Sequence, residues 1–144
     1  MNNFNELSIK NQLCFALYAC SREINKLYTP ILDEINLTYT QYISMLVLWE
    51  KDDIAVKDMG DILFLDSGTL TPVIKSLEKK GLVKRNRSTI DERIVNVTLT
   101  KEGLELKEKA KDVPAKVYCS VGLDKEDGLE LYRLCYKVLD SIKK

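Results

Sequence analysis

The stretch Asp66-Ser67-Gly68-Thr69-Leu70-Thr71-Pro72-Val73-Ile74-Lys75-Ser76-Leu77-Glu78-Lys79-Lys80-Gly81 decides how the rest of the chain is read. It predicts a helix with both ends marked. Asp66 or Ser67 can accept the amide protons left free in a first turn. Gly81 can take the left-handed conformation that ends a helix. Leu70, Ile74 (or Val73) and Leu77 recur at helical spacing and form an inward face. Gly68, Thr69, Thr71, Pro72, Lys75 and Lys79 form the outward one. Small residues at the leading end let a helix enter a groove closely, and threonine hydroxyls can bond to base edges or phosphates. Alone, this pattern also fits a surface amphipathic helix with solvated lysines; the flanking sequence decides between them.

Upstream, residues 54–65 read as a short helical segment in which Val56, Met59, Ile62 and Leu63 repeat and Gly60 weakens the pattern. Two short helices in tight succession, the second with a polar face, are what a helix-turn-helix requires. Downstream, residues 82–88 and 94–99 read as strands, the second alternating and rich in β-branched residues. The charged loop Thr89-Ile90-Asp91-Glu92-Arg93 joins them. A helix-turn-helix followed by a hairpin is a winged helix, here about residues 38–100. The expected fold is mainly α with a small β-hairpin wing, in one domain over residues 1–144.

The flanks, about residues 7–35 and 101–144, read as dimerisation helices. Residues 13–20 are an almost continuous apolar block, and a helix apolar around most of its circumference is buried on more than one side. Pro30 should kink or interrupt this helix, because it removes a backbone donor. Asn36 and Thr38 mark a turn, with Thr38 as the cap of a helix whose buried face is Tyr39, Tyr42, Ile43, Leu46, Val47 and Trp49. Thr100 caps a long helix expected to kink at Pro114 and to continue to about Ser120. A last helix begins near Asp124 and carries the stripe Leu131, Leu134, Cys135, Val138, Leu139 and Ile142. Apolar stripes this extensive exceed what one small chain can cover, so a homodimer is expected.

Lys and Arg number 22 and Asp and Glu 22, so overall charge says nothing about nucleic acid and local clustering must. There is no histidine, which removes Ser-His and Cys-His catalysis. The four cysteines, Cys14, Cys20, Cys119 and Cys135, form no C-x-x-C pair. A structural zinc site of the usual spacing is not expected, nor is any cofactor. Without a signal-peptide pattern or a bilayer-length apolar run, the expectation is a cytoplasmic protein with reduced thiols and no membrane partner.

Lys75, Lys79, Lys80, Lys84, Arg85 and Arg87 crowd beside the candidate recognition helix, the footprint of phosphate binding. Arg93 at the hairpin tip can enter a narrow minor groove. Asp91 can orient its guanidinium through a paired hydrogen bond; the plain alternative is a surface ion pair of little consequence. The predicted face for double-stranded DNA is Ser67, Gly68, Thr69, Thr71, Pro72, Lys75, Lys79, Arg85, Arg87, Asp91 and Arg93.

Four motifs carry a resemblance. They are Leu65-Asp66-Ser67-Gly68-Thr69-Leu70-Thr71-Pro72, Leu77-Glu78-Lys79-Lys80-Gly81-Leu82-Val83, Asp91-Glu92-Arg93 and Leu99-Thr100-Lys101-Glu102-Gly103. In order and spacing the chain resembles the MarR family of winged-helix regulators. The resemblance implies a homodimer built from the terminal helices on a palindromic operator. Asn11-Gln12-Leu13-Cys14-Phe15-Ala16-Leu17-Tyr18-Ala19 and Leu37-Thr38-Tyr39-Thr40-Gln41-Tyr42 are similar to the family's organic-hydroperoxide sensors, the OhrR branch.

A cysteine in an apolar helix is usually inert packing, and becomes reactive only when its thiolate is stabilised. Tyr18, one turn after Cys14, could donate a hydrogen bond to it. The resemblance makes Cys14 the redox sensor, with Tyr28 and Tyr39 matching tyrosines that reach the sensor from the partner subunit. An apolar pocket with phenolic donors suits an alkyl or fatty-acyl peroxide, and oxidation yields a sulfenic acid. The resemblance offers two continuations: reaction with a small thiol, or with a second cysteine. Cys119 follows Val113-Pro114 where the two-cysteine type carries its resolving residue, which points to an intersubunit Cys14–Cys119 disulfide. Cys20 and Cys135 read as packing residues. The expected function is a dimeric repressor that releases its operator when an organic hydroperoxide oxidises Cys14. Two readings compete: a MarR-type regulator gated by a small aromatic ligand or another oxidant and, ranked last, a thiol peroxidase.

Overall fold

The computed structural model describes residues 5–143. Its centre is α2 (Tyr39–Glu50), opened by a capping box. Thr38 Oγ accepts the Gln41 N–H at 3.3 Å, and the Gln41 side-chain oxygen accepts the Thr38 N–H at 3.1 Å. Together they satisfy two donors that a helix start leaves free. The burial of α2 departs from the one-sided face read in the sequence. Ser44, Met45 and Leu48 are buried beside Tyr42 and Val47, whereas Leu46 is exposed. The cause is position: α1, α3, α4, α5 and the sheet all pack on α2. Its buried polar groups are paired, Ser44 Oγ donating to the Thr40 carbonyl at 2.7 Å and the Gln41 amide to Ser76 Oγ at 2.9 Å.

Ile54 and Ala55 differ from the predicted helical segment: they form strand β1 (Ile54–Ala55), paired with Val97 and Asn96. With β2 (Val83–Arg87) and β3 (Val95–Leu99) they make an antiparallel sheet of order β1-β3-β2. Pairing wins because Ile54 can then bury its side chain while its backbone bonds to β3. The helix α3 (Val56–Leu63) follows; it buries Met59 but leaves Ile62 exposed, against the expected repeat. Phe64, in the left-handed region at φ 57°, ends it.

Helix α4 (Ser67–Lys79) has the predicted face, with Leu70, Ile74 and Leu77 fully buried. Asp66 is the cap rather than Ser67: its carboxylate accepts the Thr69 N–H at 2.7 Å and the Thr69 hydroxyl at 3.1 Å. Gly81, at φ 76°, turns the chain from α4 into β2. The bond from the Thr69 amide, followed by that from its hydroxyl, holds the Asp66 carboxyl below its ordinary range. A depressed folded value means the stabilisation is complete above the unfolded value and is lost as pH falls through the folded one. Melting curves from about pH 7 down to about pH 3 should show acid destabilisation that is smaller in Asp66→Asn. Equal slopes in the two proteins would remove Asp66 from the acid response.

The terminal helices differ from expectation at their ends. Residues 7–12 do not continue α1 (Leu13–Asp33); a 3₁₀ turn at Ile9–Asn11 precedes it and Gln12 is extended. The Gln12 amide donates to the Glu6 and Ser8 carbonyls, competing locally with helix formation. Pro30 lies inside α1 without interrupting it. It falls in the last turn, where it forfeits one hydrogen bond and the buried Leu32 still anchors the helix end. The long helix expected after Thr100 is two: α5 (Lys101–Ala110) and α6 (Val113–Val121). The break falls at Lys111-Asp112, and Pro114 occupies the first turn of α6, where its missing N–H costs nothing. Gly103 sits against the Leu82 carbonyl, leaving no room for a Cβ. Helix α7 (Lys125–Ile142), capped by Asp124, buries none of its residues.

Candidate nucleic-acid interface and sensor cysteine

Two parts of the molecule carry chemistry, and they lie in different regions. The first is the face formed by α4 and the wing. Along α4, Ser67, Gly68, Thr69, Pro72, Lys75 and Lys79 are exposed and Thr71 is half-buried. A cleft of about 350 Å³ separates the leading half of α4 from the wing, with Ser67 and Thr71 on one wall and Arg93, Ile94 and Val95 on the other. Arg85 lies at this cleft too, but its guanidinium is committed. It donates to the Glu78 carboxylate at 3.1 and 3.2 Å, while the Arg85 backbone N–H reaches the same carboxylate at 2.9 Å. That backbone bond first, then the side chain, depresses the Glu78 carboxyl. Arg85 thus ties the wing to the end of α4. The Arg87 guanidinium donates to the Glu92 carbonyl at 3.0 Å, bracing the hairpin. Glu78 was not singled out in the sequence; its partner lies seven residues away across the Gly81 turn, which no periodicity reports.

At the wing tip the Arg93 guanidinium donates to both Asp91 oxygens, at 3.1 and 3.2 Å, and the Arg93 N–H to Asp91 Oδ1 at 3.0 Å. These bonds, the side-chain ones foremost, hold the Asp91 carboxyl below its usual range. The Arg93 side chain is nevertheless 90% exposed, so a cation paired with Asp91 projects from the hairpin. Lys75 and Lys79 are free of ion pairs among the described residues. Lys75→Ala should weaken binding to every duplex alike and lower the salt slope of affinity by about one. An unchanged slope in a titration over salt would exclude Lys75 from phosphate contact.

The second part is the N-terminal half of α1. Cys14 is exposed there among Leu13, Phe15, Leu17 and Tyr18, none of which is covered within the chain. The Tyr18 hydroxyl accepts the Arg22 guanidinium at 3.2 Å, and Arg22 also lies over its ring, so this phenol is drawn towards Arg22. Tyr28 and Tyr39 stand together, ring centroids 4.8 Å apart, with Tyr42 at 5.8 Å from Tyr28. The sequence pattern places Tyr42 only in the core. Burial raises all three phenols, assisted at Tyr28 by Tyr39. Tyr42 is pushed up to about 12 by burial and by its two neighbours. They therefore stay protonated donors at neutral pH. At ~1.5 Å per residue Tyr28 lies ~21 Å along α1 from Cys14, so the tyrosine cluster cannot touch the Cys14 of its own chain.

Cys119 is exposed on α6. Lys116, three residues before it, reaches Glu34 at 3.4 Å, beyond the far end of α1. Glu34 is ~30 Å along the helix axis from Cys14. Even with the Lys116 and Glu34 side chains fully extended, Cys119 stays outside the ~7 Å between α-carbons that a disulfide tolerates. Cys20 is exposed and Cys135 half-buried within one chain; both lie on α1 and α7, whose apolar stripes the chain leaves uncovered.

A polar-faced helix with its buried face in the core, a cleft beside it and an arginine-tipped wing define a winged helix-turn-helix DNA-binding protein. The SarA/Rot transcriptional regulator family matches residues 26–110. The organic hydroperoxide resistance transcriptional regulator of Bacillus subtilis strain 168 is 48% identical over 144 residues, covering 98% of this chain and 96% of its own. Among solved structures, AbfR of Staphylococcus epidermidis matches with 34% identity, 94% of each chain and a TM-score of 0.76. Reduced AbfR bound to DNA matches with 32% identity, 94% of each chain and 0.78, whereas disulfide-formed AbfR, also 32% identical over 94% of this chain and 92% of its own, gives 0.68. The chain belongs to the MarR/SarA family of winged-helix transcription regulators. No helix of the described residues is long and apolar enough to cross a membrane.

Proposed function

We propose that this regulator is a cytoplasmic homodimeric repressor that senses organic hydroperoxides through Cys14 and then releases a palindromic operator. The carrying observation is the stranded sensor: Cys14 sits on an uncovered apolar helix face, ~21 Å from the tyrosines of its own chain. A second copy across a two-fold axis supplies both what is missing. It covers the exposed stripes of α1 and α7, and it brings Tyr28 and Tyr39 to Cys14. Covered in this way, the site is an apolar pocket with phenolic donors. Its wall takes the alkyl tail and the donors orient the O–O group.

The Cys14 thiolate attacks the outer peroxide oxygen and the O–O bond breaks. The alkoxide leaves as alcohol after taking a proton, and Cys14 becomes a sulfenic acid. The Cys119 thiolate of the second copy then attacks the Cys14 sulfur; hydroxide leaves as water, and a disulfide joins the subunits. Own-chain geometry supports the intersubunit choice, because Cys14 and Cys119 of one chain cannot meet. That a solved relative, AbfR, has a disulfide-formed state supports bridging here. Cys119→Ser should still release DNA at first but form no covalent dimer on non-reducing gels, and should over-oxidise more readily. A covalent dimer persisting in that variant would move the partner role to Cys20 or Cys135.

A further inference from the structure

The wing tip holds a residue that the DNA-binding reading leaves unused. Ile90 is 96% exposed, at the apex of the loop between β2 and β3. Turns of this kind favour glycine, asparagine, aspartate or serine, not a β-branched apolar side chain. Single exposed apolar residues are common and by themselves mean little. What distinguishes Ile90 is how rigidly it is presented. Ser88 Oγ accepts the N–H groups of Ile90 and Asp91 at 3.1 and 3.3 Å. Below it, the Ser88 N–H donates to the Ile94 carbonyl at 2.8 Å and the Ile94 N–H to the Asp91 carbonyl at 3.0 Å. Arg87 and Arg93 pin the two sides of the same loop. An isoleucine is thus held clear of the protein, three residues from the Arg93 guanidinium and on the same projecting loop.

We propose that Ile90 is an apolar wing-tip contact that packs into the operator's minor groove, against the sugars beside the position Arg93 enters. The proposal rests on the wing reading above. Phosphate and arginine contacts supply attraction that salt screens; an aliphatic side chain between two walls of deoxyribose supplies contact that salt does not. It also senses width. An A·T-rich groove is narrow and closes on the side chain, whereas a G·C-rich one stands wider. Apolar side chains are also used in the minor groove by other binders, commonly as wedges between base steps.

The test uses a palindromic duplex recovered from a random pool by the reduced parent protein, with A·T or G·C pairs placed where the wings fall. Affinities are measured over a salt series for the parent, Ile90→Ala, Ile90→Leu and Arg93→Ala. Ile90→Ala should bind the A·T duplex about tenfold more weakly. Its salt slope should match the parent, its preference for A·T should shrink, and Ile90→Leu should restore both. Parent-like binding by Ile90→Ala while Arg93→Ala is weakened overturns the Ile90 contact alone. A loss accompanied by a changed salt slope also overturns it, since the effect then runs through phosphates. Parent-like binding by both alanine variants overturns the wing reading itself.

Discussion

Cys14→Ser is expected to bind the operator as tightly as the reduced parent and to keep it after organic hydroperoxide is added. The parent should lose roughly 5–150-fold in affinity under the same treatment, the usual range of coupling between two sites. The serine hydroxyl is close in size to the thiol, so it preserves the packing of the apolar face on which Cys14 lies. It cannot form a sulfenic acid or a disulfide, so neither step of the proposed sequence can begin. In the proposed dimer of the parent, the first oxygen enters an interface where small volume changes already cost stability. The sulfenic acid also needs hydrogen-bond partners and competes for Tyr28 and Tyr39, which burial keeps protonated. The disulfide then requires the two sulfurs to come to ~2.05 Å, which helices of two subunits must move to allow. Helix α1 packs on α2 and α6, and α2 packs on α3 and α4. In the proposed dimer a shift of the terminal helices would therefore reach the recognition helix and alter the spacing of the two α4 copies, which must match about one DNA turn, ~34 Å. Operator titrations of both proteins, before and after peroxide, check this; release by Cys14→Ser would place the sensor elsewhere.

Arg93→Ala should weaken operator binding by about 1–3 kcal/mol, the range of a good base-reading contact. The guanidinium is oriented before DNA arrives, so little freedom is lost on binding. Asp91→Asn should give a smaller loss, because Arg93 remains but is no longer held by a charged partner. Asp91 is a carboxylate well above its depressed folded value, so the pairing holds throughout the neutral range. Equal affinity of Arg93→Ala and the parent at matched salt would remove the wing from recognition.

The recognition helix was legible in the sequence because its signals are local: a capping aspartate, apolar residues at helical spacing and a terminal glycine. The hairpin was legible for the same reason, and so was the paired geometry of Asp91 and Arg93, two residues apart. What escaped depends on tertiary contact. Ile54 carries no mark that it pairs with Val97 rather than opening a helix. The burial of Ser44 and exposure of Leu46 follow from how many elements surround α2, which its own periodicity does not encode. Arg85 reads in the sequence as a phosphate ligand, whereas Glu78, its partner across the Gly81 turn, carries no local mark. The proposed sensor rests on resemblance, since Cys14 alone is one thiol on an apolar helix.

The central claim is that oxidation at Cys14 by an organic hydroperoxide lowers operator affinity. Its most direct test is operator binding by the reduced parent, repeated after one equivalent of organic hydroperoxide and, separately, of hydrogen peroxide. An apolar pocket around Cys14 predicts release with the organic peroxide at levels where hydrogen peroxide, lacking a tail for that pocket, has little effect. Undiminished binding after the organic peroxide, with Cys14 shown by mass to be oxidised, would contradict it.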